Sequence, residues 1–327
     1  MKLIKVTRST VLMVLFIFGL FFTIRAQQEP NFSQYMFYGL TLNPGAAGTE
    51  SAVNITGANR MQWTGFPKED GEKVAPVTYF ISADMPIKIL KGGVGLMIMQ
   101  DALGHEKNIS VKLGYANQRK MGFGKLGIGA QLEFNNKSID FSKLNPANDD
   151  PLLNQLTSEE SDMLIDFSLG LLYRVPDQYY IGFSGMHLVQ TKGKPLMEGA
   201  GGVLSIKLDR TFIVHGGYEL TFPRNPNYVF VPSAIIQTNL SSVRLDVDAL
   251  LKFKDVFWGG LGYRLGESII VLLGVQYKDF RIGYSYDIGI NKLGLPFYGG
   301  SHEIMLNYRF KLEMDKGRKS YKNTRFL

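Results

Sequence analysis

The stretch Val243–Phe253 reads VRLDVDALLKF, and its charged residues all fall on one of two alternating faces. Val243, Leu245, Val247, Ala249, Leu251 and Phe253 occupy alternate positions against Arg244, Asp246, Asp248 and Lys252. Side chains of a β-strand point alternately to opposite faces, so the stretch makes a ribbon with one apolar and one charged side. The same pattern returns along the chain. Leu126, Ile128, Ala130, Leu132 and Phe134 oppose Gln131, Glu133 and Asn135. Ile165, Phe167, Leu169, Leu171, Tyr173 and Val175 oppose Asp166, Ser168 and Arg174. Val53, Ile55, Met61 and Trp63 oppose Asn54, Thr56, Arg60 and Gln62. The chain is therefore all-β.

Two all-β architectures carry this pattern. A soluble sandwich turns the apolar faces inward, whereas a membrane barrel turns them to lipid and leaves the charges in a wet lumen. The runs are about ten residues or longer, the length of a tilted strand crossing hydrocarbon. Trp63, Tyr173, Tyr179, Tyr180, Trp258, Tyr277 and Phe310 sit near run ends, as interfacial girdles do. Both features favour the barrel over a secreted soluble β protein.

The N-terminus agrees with export. Lys2, Lys5 and Arg8 precede an apolar run from Val11 to Ile24, a secretory signal pattern too short for a comfortable bilayer span. Cleavage after Ala26 makes residues 1–26 the signal peptide and Gln27 the mature start; an uncleaved inner-membrane anchor is the alternative. The chain has no cysteine, which excludes disulfides, thiolate metal sites and a lipidated N-terminal Cys.

The net charge of +7 is unevenly placed. Of 36 basic residues, four lie in the signal and six in residues 311–327, a tail with only two acidic residues. The body between them is close to neutral, so no nucleic-acid surface is indicated.

Candidate strands fall at 52–63, 77–87, 92–103, 107–121, 125–139, 164–175, 178–190, 211–220, 228–239, 243–253, 256–265, 268–277, 280–290 and 301–310. That gives an antiparallel transmembrane barrel of about 14 strands over residues 52–310. Segment 201–209 is a possible fifteenth, but even strand numbers place it in a loop or in an extension of 211–220. Connections 64–76, 140–163, 191–210 and 291–300 are long and fall on one end, while the other end has short turns. Outer-membrane barrels have long loops outside and short turns in the periplasm. Both chain ends are then expected in the periplasm.

Several ordered blocks carry a family resemblance: "QQEPNFSQYMFYGLTLNPGAAG", "NRMQWTGFP", "NDDPLL", "GYSYDIGI", "YGGSHEIMLNYRF" and the terminal "RFL". Together they resemble the PorP/SprF family, outer-membrane proteins of the type IX secretion and gliding machinery of Bacteroidetes. The resemblance implies a barrel adaptor rather than an enzyme. Its implied partners are periplasmic ring lipoproteins, a secreted cargo or adhesin, and outer-membrane lipid, and it implies no cofactor.

Three regions carry the candidate sites. The tail offers Lys316, Arg318, Lys319, Tyr321, Lys322, Arg325, Phe326 and Leu327, a basic segment with an apolar hook suited to folding onto a periplasmic partner. A solvated tail touching anionic headgroups is the alternative. Residues 27–51 are expected as a periplasmic N-terminal segment, a plug or a clasp, with Phe32 and Tyr35 as partner contacts. Inward Arg60, Gln62, Gln131, Glu133, Asp166, Arg174, Arg244, Asp246 and Asp248 carry both signs, and either fill the lumen or line a channel.

The remaining motifs are weaker. Acidic loop 140–163 lacks the spacing of a Ca²⁺ loop, and "GFGKLGIG" enters a strand rather than a helix. His105, His187, His215 and His302 lie on separate segments without an i,i+4 pair. A passive porin is the second functional reading, and a lipid hydrolase or acyltransferase the third.

Overall fold

A computed structural model describes residues 29–50, 52–66, 74–143, 159–199, 202–291 and 299–310. The expected signal peptide and the basic tail, with all eight of its candidate partner residues from Lys316 to Leu327, lie outside the described residues. Seven strands follow one another as an antiparallel meander: β1 (Val53–Met61), β2 (Val77–Ile87), β3 (Gly92–Leu103), β4 (Glu106–Met121), β5 (Gly124–Asp140), β6 (Glu159–Val175) and β7 (Tyr179–Met186). The chain then leaves the wall for a hairpin of β8 (Lys192–Gly199) and β9 (Gly202–Lys207). It returns as β10 (Thr211–Tyr218), prolonged by the two-residue β11 (Leu220–Thr221). The wall is completed by β12 (Tyr228–Thr238), β13 (Val243–Phe253), β14 (Phe257–Arg264), β15 (Ser268–Tyr277), β16 (Phe280–Gly289) and β17 (Ser301–Phe310).

Closure comes from β17 and β1, paired antiparallel from Val53 opposite Phe310 to Met61 opposite His302. With β10 and β11 counted as one, the result is a closed antiparallel barrel of 14 strands. No open edge remains in the wall, which is what lets a sheet cross hydrocarbon. The described part of segment 201–209, residues 202–209, is outside the wall. β9 pairs with β8, and Ile206 and Leu208 pack onto Leu164 of β6.

Burial runs opposite to that of a soluble protein. Val247 is 43% exposed and Leu132 41% exposed on the outer face, while Asp246 and Glu303 are fully buried inside. Apolar side chains outward and paired charges inward is the arrangement lipid selects. At one end the turns are tight. Lys254 and Asp255 both take left-handed backbone (φ 54° and 52°), the geometry of a two-residue hairpin turn.

The aromatic girdle is clearest at this short-turn end. Tyr179 stacks on Tyr218, Tyr228 meets Phe253, and Phe280 meets Tyr308. Two expected girdle members point the other way. Tyr180 packs against His215 in the lumen, and Trp258 is buried against Phe37. Each follows a lipid-facing aromatic, Tyr179 or Phe257, and neighbours on a strand face opposite sides.

Candidate functional site

Residues 29–50 lie inside the barrel and cross it from end to end. At one extreme, Glu29 meets His187, just past the long-loop end of β7, at 3.2 Å. Ser33 meets Arg60 and Arg264, which stand at the long-loop ends of β1 and β14. Midway, the Tyr35 hydroxyl lies 3.3 Å from that of Ser233. Asn43 Nδ2 then donates to the carbonyls of Leu171 (2.9 Å) and Phe183 (3.2 Å). At the other extreme, Glu50 pairs with Arg174 (2.8 Å) and with Arg309, the penultimate residues of β6 and β17 at the short-turn end. Glu29 and Phe310 are thus at opposite ends of the barrel.

Of the readings of residues 27–51, a plug, a clasp or a segment under the mouth, this path matches the plug. Phe32 (5% exposed) and Tyr35 (2% exposed), expected as partner contacts, are buried in the lumen. Phe32, Tyr38 and Phe80 pack edge to face with centroids 4.9–5.3 Å apart. Room for the segment comes from the wall. A Cβ on Gly129 would overlap the Pro44 backbone, and one on Gly170 would overlap the Asn43 side chain. Asn43 in turn caps the single 3₁₀ turn Pro44–Ala46 by accepting from Gly45 N–H at 2.8 Å.

Charged side chains fix the upper half of the segment. Arg60 reaches Asp287 at 2.7 Å and Glu303 at 3.1 Å. Arg264 reaches Asp246 at 3.0 Å and Asp287 at 3.1 Å, and Arg244 also pairs with Asp246. Three guanidiniums face three carboxylates. Glu303 then accepts four donors: Ser33 N–H (2.7 Å), Gln34 N–H (3.0 Å), the Tyr38 hydroxyl (2.9 Å) and Arg60. Buried ion pairs add little net stability, but a half-satisfied one is strongly unfavourable. The network therefore specifies where the segment sits rather than how stable the barrel is.

A second cluster holds the start of the segment. Lys112 lies 3.2 Å from Glu133 and 3.9 Å from Glu29. His187 Nε2 lies 2.8 Å from Glu133 and 3.2 Å from Glu29. Burial opposes a charge on His187, but the two carboxylates outweigh it and hold the imidazole above its ordinary pKa of 6.5.

Of the residues expected in the lumen, Arg60, Gln131, Glu133, Asp166, Arg244, Asp246 and Asp248 are buried there. Arg174 is half-buried at the short-turn mouth, and Gln62 is half-buried just past β1. Asp166 accepts backbone N–H groups from Val189 and Thr191, both at 3.0 Å, which anchors the chain leaving β7. Glu29, Ser33, Gln34, Tyr38, Asn43 and Glu50 were not expected. Their signal is the run of glycines at inward positions, because a missing side chain on the lumen face leaves space for another segment.

Fold and lumen together define an outer-membrane β-barrel threaded by its own N-terminal segment. The sequence assigns it further: a family model for the type IX secretion system membrane protein PorP/SprF matches residues 24–308, and the chain belongs to that family. No curated protein matches the chain. Among solved structures it is similar to the Pseudomonas putida toluene transporter TodX, at 9% identity over 82% of this chain and 93% of that one, with a TM-score of 0.48. A Pseudomonas aeruginosa FadL homologue matches at 11% identity, over 80% and 89%, with a TM-score of 0.44. The KdgM porin matches at 11% identity, over 79% and 99%, with a TM-score of 0.37.

Proposed function

We propose that this chain is a sealed outer-membrane adaptor of the type IX secretion machinery, linking periplasmic ring components to the secretion or display of a specific cargo, and not a catalyst. Its family supplies the machinery, and the threaded lumen is the observation that separates an adaptor from a passive porin. The segment 29–50 occupies the space a solute would need, from Glu29 at one end to Glu50 at the other. A hydrolase reading would need a free histidine beside a serine. Instead His215 lies 3.4 Å from Asn43, and His302 lies 2.7 Å from the Tyr284 hydroxyl.

Short turns on the periplasmic side is the rule for such barrels. By that rule Phe310 ends β17 at the periplasmic mouth, and the tail that follows it reaches the machinery. Deleting residues 311–327 is expected to leave the barrel inserted and heat-modifiable while abolishing co-purification of a periplasmic partner. Unchanged co-purification would refute the role of the tail.

A further inference from the structure

In the upper lumen Arg60, Arg244, Arg264 and Lys112 each have a carboxylate partner, but not every basic residue at the short-turn mouth has one. Inward positions there carry Lys120, Lys125, Arg174, Lys252, Arg281 and Arg309. Their acidic counterparts are Glu50, Asp84 and Glu219. Glu50 is shared by Arg174 and Arg309, Glu219 meets Lys252 at 3.1 Å, and Asp84 accepts the Gly48 N–H at 3.0 Å. Among the described residues Lys120, Lys125 and Arg281 form no ion pair, and Arg281 feels Glu219, itself paired with Lys252, only at longer range.

Two details make this more than surplus charge. Lys120 stands directly across from Lys125 in the β4–β5 pairing, where like charges repel. Both point inward, because Gln118 and Gly127, two residues away on the same faces, touch the Gly45 backbone. Arg281 is meanwhile held ready. Gln276 Oε1 accepts from it at 2.9 and 3.2 Å, and its guanidinium lies over the rings of Phe37 (5.1 Å) and Trp258 (5.9 Å). Arg174 repels it across the mouth, while Glu219, already paired with Lys252, attracts it. An anionic occupant would relieve both strains.

The occupant is not the tail of this chain, which leaves from Phe310 at the same mouth but holds six basic and two acidic residues. Nor is it a bilayer headgroup, since these side chains line the lumen rather than the lipid face. We infer that the short-turn mouth is a docking site for an acidic polypeptide segment of a periplasmic partner. Its carboxylates meet Lys120, Lys125 and Arg281. This inference rests on the reading that the short-turn end faces the machinery.

The test uses the full chain folded in detergent micelles and a fluorescent glutamate-rich peptide. Binding is expected to weaken with salt, and to fall about tenfold in the Lys120→Gln/Lys125→Gln/Arg281→Gln variant. Lys192→Gln/Lys194→Gln, at the long-loop end, should bind as wild type. Heat-modifiable migration in gels confirms that each variant is folded. Equal binding by the triple variant would overturn the inference, as would full displacement of the peptide by inorganic phosphate, which would mark a free-anion site. In cells, a tail deletion that loses the partner beside a triple variant that keeps it would refute this site and leave the adaptor reading standing. Retention of the partner by both would refute this site and the role of the tail, whereas failure of the wild type to co-purify any periplasmic partner would refute the adaptor reading itself.

Discussion

Glu303 is the carboxylate on which the threaded segment is hung, and its replacement by glutamine has a calculable consequence. Of its four donors, three belong to the segment: Ser33 N–H, Gln34 N–H and the Tyr38 hydroxyl. Arg60 keeps Asp287 at 2.7 Å when the charge on Glu303 is lost. A broken buried ion pair costs about 3–5 kcal/mol, and the retained Asp287 partner puts Glu303→Gln at the low end, about 3 kcal/mol. Tyr38→Phe removes one hydrogen bond to a charged acceptor, worth about 1.5–3 kcal/mol. Because the two changes strike the same contact, their effects should not add. In the Glu303→Gln background, Tyr38→Phe is expected to cost less than half its wild-type effect. The assay is equilibrium unfolding in denaturant of the barrel in detergent, read by tryptophan fluorescence and gel mobility. Additive effects would refute the reasoning, since they would mean that Tyr38 and Glu303 do not meet in the folded lumen.

Three further outcomes follow from the same geometry. Gly129→Val places a side chain where the Pro44 backbone now sits, and overpacking of this kind costs about 1–3 kcal/mol; protease sensitivity of residues 29–50 should rise. His187 has a raised folded pKa, so its hold on Glu29 is complete below pH 6.5 and is lost as pH rises through the raised value; denaturant midpoints should fall over that window in wild type and flatten in His187→Gln. The absence of native cysteine permits clean labelling, so in intact cells an impermeant maleimide should label Lys194→Cys at the long-loop end and spare Lys254→Cys at a short turn.

Much of the wall is legible because period-two alternation is clean in several strands, although others such as Ser268–Tyr277 (SIIVLLGVQY) are apolar on both faces. In Val243–Phe253 only Leu250 breaks the separation of apolar and charged sets, and the fourteen candidate strands correspond to the fourteen of the wall. Membership of the lumen was legible for the same reason: Arg60, Glu133 and Asp246 lie on the charged parity. Partnership was not. Arg60 and Asp287 are 227 residues apart, and parity gives a face without a neighbour. The adjacent aromatics Tyr179–Tyr180 and Phe257–Trp258 misled because a girdle was read from clustering, while alternation sends one of each pair inward. The path of residues 29–50 was hardest. Its crowded aromatics have neither strand nor helix period, and the evidence for it sits elsewhere, in wall glycines such as Gly129 and Gly170.

Planar-bilayer conductance of the purified chain addresses the threaded lumen most directly. Wild type is expected to show no steady conductance, whereas a variant lacking residues 29–50 should open persistent channels. Equal, steady conductance from both would contradict the account.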